Sequence, residues 1–66
     1  MPQYQAIFIA VDGLSETDID PPYRLKATTR NEAEYEALEL PRPEAANFVK
    51  LIREGQYEGP KLGFSL

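Results

Sequence analysis

Sixty-six residues without a cysteine or a histidine exclude much of the chemistry open to small domains. No disulfide framework or thiolate zinc site can form, and no imidazole is present as a general base near neutral pH or as a metal ligand. The net charge of −4 is carried by residues 1–40, where eight carboxylates face three cations, whereas residues 41–66 hold four cations and three carboxylates. An acidic half of this kind repels phosphate backbones and attracts basic surfaces, so direct nucleic-acid binding is not expected.

The opening stretch "MPQYQAIFIAV" has no basic leader, and its apolar run stops at Asp12, short of a membrane span. It predicts a soluble, cytoplasmic protein. Within it, residues 4–11 read as a strand, with Tyr4, Ala6, Phe8 and Ala10 on one face and Gln5, Ile7, Ile9 and Val11 on the other. Two largely apolar faces suit a central strand with helix on one side and a partly covered second side.

Residues 12–22, "DGLSETDIDPP", read as an acidic loop, opened by Asp12-Gly13 and closed by Pro21-Pro22. Ser15 and Asp18 stand at capping-box spacing, which allows one helical turn inside it. Residues 23–29 then alternate, Tyr23, Leu25, Ala27 and Thr29 against Arg24, Lys26 and Thr28, and predict a half-buried strand antiparallel to the first.

A helix is expected over about 30–39. Thr29 or Asn31 can cap it, Glu32 and Glu34 occupy its first turn, Ala33, Ala37 and Leu40 form its apolar stripe, and Pro41 ends it. A second helix is expected over about 43–54, from Pro43 in the first turn to Gly55 as C-cap, burying Ala45, Phe48, Val49 and Ile52. The alternation in 61–66 predicts a short last strand. The sequence therefore reads as one small α+β domain of β-β-α-α-β order, with two helices packed on one face of a short, antiparallel or mixed, three-stranded sheet.

Asp12-Gly13 at a strand end, followed by a helix reading "NEAEYEAL", resembles the opening of ribonuclease H. That resemblance implies Asp12 and Glu34 as magnesium ligands in a metal-dependent nuclease. The family also sets a full hairpin between those ligands and a third carboxylate on a later strand. Here only residues 13–33 intervene, no Asp follows Asp20, and the chain is too short for the remaining elements. Ala, Glu and Leu are strong helix formers, so the same letters describe an amphipathic acidic helix. Asp12, Glu16, Asp18 and Asp20 supply oxygens but lack EF-hand spacing. Neither a cofactor nor a resident metal is expected, and the chain reads as non-enzymatic.

What remains is surface. Glu32, Glu36 and Glu39 share one helical stripe with no Lys or Arg at i+4 to relieve them, and Asp18 and Asp20 add to it from the loop. These five, with Tyr57 in the "EGQYEGP" loop as an aromatic contact, are the candidate partner-binding residues. In size and charge the chain is similar to phage-encoded inhibitors, including anti-CRISPR and polymerase-binding proteins. Such a likeness implies a larger partner whose basic, nucleic-acid-binding surface it occupies. A second expectation is an assembly or regulatory subunit, a homo-oligomer or a complex formed by strand addition along 61–66.

Overall fold

A computed structural model describes residues 3–64. Five strands and one helix follow in the order β1 (Tyr4–Asp12), β2 (Ser15–Asp18), β3 (Tyr23–Arg24), α1 (Arg30–Glu39), β4 (Phe48–Arg53) and β5 (Gln56–Gly63). The strands form one antiparallel sheet in the order β2-β1-β4-β5, with β3 pairing β1 as well. The domain is α+β, but the expected pair of helices on a three-stranded sheet is replaced by one short helix on a five-stranded sheet.

The first strand is central, as its two apolar faces require. One edge of β1 pairs along Tyr4–Ile9 with β4. Its other edge is shared by β2, opposite Ile9–Asp12, and β3, opposite Gln5–Ala6. The backbone N–H of Ile19 donates to the Phe8 carbonyl at 2.9 Å and that of Leu25 to the Tyr4 carbonyl at 2.9 Å, so β2 and β3 form one interrupted row. Pro21 and Pro22, which have no N–H to offer a ladder, fall in the interruption.

Three expectations are corrected here. Residues 15–18 make no helical turn. They run back along β1 through a two-residue turn whose first residue, Gly13, has φ +62°, the glycine-first arrangement of a type II′ hairpin. The strand expected over 23–29 pairs antiparallel as foreseen, but only through Tyr23–Arg24. Past Arg24 the N–H groups of Lys26 and Ala27 donate instead to the Glu36 carboxylate at 2.9–3.0 Å.

The largest correction is the second helix. After a turn in which the Ala46 N–H donates to the Pro43 carbonyl at 3.0 Å, residues 48–53 extend as β4. Val49 and Leu51 point into the core, and Phe48, Lys50 and Ile52 point away, a period of two inside a segment that also fits a helical stripe. Gly55 caps no helix. With Glu54 at φ 51° and Gly55 at φ 83°, it forms the turn of a type I′ hairpin between β4 and β5. The last strand accordingly starts at Gln56, and Tyr57 lies within it, not in a loop. Of the stretch expected as that strand, residues 65 and 66 lie outside the described residues.

The helix fulfils its expectation. Thr29 is the N-cap, its hydroxyl accepting from the Glu32 N–H at 3.3 Å and donating to the Glu32 carboxylate at 3.0 Å. Ala33 and Ala37 are fully buried in one cluster with Tyr4, Ala6, Phe8, Leu25, Ala27, Ala46, Val49 and Leu51. Two alanines let the helix backbone lie close to the sheet, but they bury little area. Tyr35 and Leu38, the larger apolar side chains of the helix, are exposed.

No helix covers the other face of the sheet. Register places Ile7, Ile9, Val11, Phe48, Lys50 and Ile52 there with Glu16, Asp18 and Tyr57. Ile9 is nonetheless completely buried. It is flanked in register by Phe48 and Asp18, and Lys50 bridges to Asp18 across β1 at 3.8 Å. Lys61 reaches Glu16 at 2.9 Å, joining β5 to β2. In a flat sheet those strands stand three spacings, about 14 Å, apart. Twist brings opposite corners together and allows the contact.

Candidate functional site: an acidic flank

Geometry divides the expected contact residues into two groups and one outlier. Glu32, Tyr35, Glu36 and Glu39 line one side of a shallow depression, and Lys26 and Ala27 line the other. Lys26 and Ala27 continue the β2–β3 row, but Asp18, on that same edge, has its side chain on the helix-free face beside Lys50, so the loop acids do not join the helical acids. Asp18 ends β2 with its carboxylate largely exposed, and Asp20 is half-buried in the bend that follows. Tyr57 stands on β5, at the opposite margin of the sheet and on its helix-free face. Its ring lies against Gly59, where an added Cβ would come within 3.1 Å of the hydroxyl.

The helical acids differ in what they are free to do. Both oxygens of Glu36 already accept backbone N–H groups from Lys26, and one accepts from Ala27 as well, so this side chain ties α1 to the end of the edge row. Glu32 holds the N-cap. Glu39, in the last turn, is exposed and lies near the negative end of the helix dipole, with no basic residue beside it in that turn. A cation entering the depression therefore meets Glu39 and the second oxygen of Glu32 beside the Tyr35 ring, with Lys26 across from them. It does not meet a free Glu36.

Three features had no clear sequence signal. Arg30 donates to the Glu34 carboxylate at 2.8 Å and to the carbonyls of Glu58, Gly59 (3.2 Å) and Pro60 (3.1 Å). It thereby clasps the start of α1 to an irregular stretch of β5, where the register shifts opposite Val49–Leu51. Asn47 uses its side-chain amide as a surrogate strand, accepting from the Val11 N–H at 2.8 Å and donating to the Val11 carbonyl at 2.9 Å. Leu14, at the tip of the β1–β2 hairpin, is completely exposed.

The Asp12 and Glu34 pair is not assembled. Glu34 is bound to Arg30, which grips β5 at Glu58, level with Leu51 and hence with Ala6 of β1. Asp12 lies six residues farther along β1, about 20 Å away at the rise of an extended strand. Among the described residues no group of three or more Asp, Glu, His or Cys could hold a metal ion, and no helix is long and apolar enough to cross a membrane.

Titration is altered at the Glu16–Lys61 pair. The hydrogen bond from Lys61 holds the Glu16 carboxyl below its ordinary value, and the same bond raises Lys61. Comparison with protein-family models, with curated proteins and with solved structures returned no match for this chain.

Proposed function

We propose that this protein is a non-enzymatic, acidic binding module that acts in the cytoplasm by occupying a basic, nucleic-acid-binding surface of a larger protein, in the manner of a phage-type inhibitor or regulator. The observation that carries the reading is the gathering of Glu32 and Glu39 around an exposed Tyr35. Carboxylates beside an exposed aromatic ring suit Lys and Arg, through ion pairs at the acids and cation–π contact at the ring. The alternative of strand addition has weaker support. Pro60 removes a donor from β5, and Arg30 occupies three successive carbonyls of that strand.

The test is competition. Protein immobilised through a terminus is expected to retain a basic, nucleic-acid-handling protein from host lysate, and both salt and added nucleic acid should release it. The double variant Glu32→Gln, Glu39→Lys should lose that retention with an unchanged circular dichroism spectrum. Glu36 is left intact because its substitution would disturb the fold. Retention by the double variant, or indifference to nucleic acid, would refute the reading.

A further inference from the structure

We propose that the β1–β2 hairpin is the insertion element of this module: Leu14 at its tip seats in an apolar pocket of the partner protein, and Asp12 meets a lysine or arginine on the rim of that pocket. The inference rests on the acidic-module reading and adds to it a point of entry.

Leu14 has a relative exposure of 105 %, beyond every other large apolar side chain described; the next, Tyr35, reaches 73 %. Tyr23 packs edge-on to Phe8, Tyr57 lies on Gly59, and Leu38 is only 44 % exposed. Leu14 touches nothing comparable. The turn places its conformational demand on Gly13, with φ +62°, and the second turn position asks for no apolar residue. A leucine there contributes little to folding and gains by burial only in a complex.

The hairpin is also built to hold the backbone of that tip in place. Asn47 closes both backbone groups of Val11, Asp12 pairs with Ser15 directly beneath the turn, and the Lys61–Glu16 bridge straps β2 to the body. A tip presented on a fixed stem loses little conformational entropy on binding.

Charge indicates what receives it. Glu16 is bridged to Lys61 and Asp18 to Lys50, whereas Asp12, beside the tip, has no ion-pair partner among the described residues and is the charge the hairpin brings to the partner. The pocket rim must therefore be basic. A second copy of this chain is a poor host, because the depression beside α1 is itself lined by Glu32, Glu36 and Glu39.

The chain has no cysteine, so single-site chemistry is clean. A photo-reactive phenylalanine analogue replaces Leu14, or Tyr35 in a parallel sample, and each is irradiated in host lysate at low salt. The expected result is an adduct from position 14 whose cross-linked peptide is apolar and bordered by Lys or Arg. With that protein purified, Leu14→Met should bind normally, and Leu14→Asp should weaken binding roughly 10- to 100-fold, the range for losing one buried leucine. No adduct from position 14, an adduct with a second copy, a site without flanking cations, or full affinity in Leu14→Asp would each overturn the inference. An adduct from position 35 alone, whose formation is suppressed when salt is added before irradiation, would overturn it and leave the acidic-module reading standing. Absence of adducts from both positions would sink both.

Discussion

On the helix side of the sheet, Val49 and Leu51 are sealed from water in a cluster that takes in both sheet and helix, with Ala33 and Ala37 as the lid. On the other side Ile9 is sealed equally well, yet no secondary-structure element lies over it. Phe48 and Asp18 flank it, and ion pairs cross the sheet from Lys50 to Asp18 and from Lys61 to Glu16. The first face is dry by packing; on the second Ile9 is sealed while Ile7, Val11, Phe48 and Ile52 stay half-buried beside the crossing ion pairs. A small domain thus completes its burial with the aliphatic stems of lysines, whose charged ends remain in water.

The sharpest way to break this comparison is to make cavities on each side. Leu51→Ala should cost about 2–5 kcal/mol in urea unfolding. That is a large part of the roughly 3–10 kcal/mol expected for a chain of this length. Ile9→Ala should cost about 2–4 kcal/mol, but the half-buried Ile52, on the same face opposite Gln5, only about 1 kcal/mol on the same change. Equal losses at Ile9 and Ile52 would show that the charged roof excludes no water.

A smaller effect is expected where the helix lid is tied down. Glu36→Ala leaves the Lys26 and Ala27 N–H groups without their acceptor and should cost about 1–3 kcal/mol. Glu39→Ala, which removes no bond within the domain, should stay within about 0.5 kcal/mol. Similar losses at the two sites would mean that Glu36 is a surface carboxylate like its neighbour.

The smallest effect is the pH response of the roof itself. Glu16 is held below its ordinary value of 4.5, so its contribution is present above that value and is lost as pH falls through the lowered one. Lys61 is raised above its ordinary 10.5, so its contribution is present below that value and fades as pH rises through the raised one. Unfolding midpoints should therefore drop modestly at both extremes, and Glu16→Gln should flatten the acidic limb. A limb unchanged in Glu16→Gln would remove the strap from the account. In ~1 M salt, where screening is nearly complete, wild type and variant should converge.

Much of the fold was written in local pattern. The two-faced apolar run of residues 4–11 announced the central strand, observed over Tyr4–Asp12, and Thr29, Ala33, Ala37 and Pro41 marked a helix whose observed bounds are Arg30–Glu39. The acids of the candidate surface were equally plain, but their roles were not. Nothing in "NEAEYEAL" shows that Glu36 turns inward to cap Lys26 and Ala27 while Glu39 stays in solvent, because the acceptor's partners come from another segment. Likewise β2 has no buried side chain, so "SETD" carries no hydrophobic alternation to reveal an edge strand.

The decisive ambiguity was "FVKLIREG". Its apolar residues satisfy both a helical stripe and a two-residue alternation, and a glycine with positive φ closes a helix as readily as it turns a hairpin. By itself the sequence determined the central strand, the capped acidic helix and the lopsided charge, since each depends on neighbours within a few residues. Only the tertiary structure decided that residues 48–53 extend. An apolar central strand has backbone donors and acceptors on both edges, and β2 and β3 serve only one of them. Pairing β4 along the other satisfies those groups and buries Val49 and Leu51, which a helix lying on the sheet would leave unmatched.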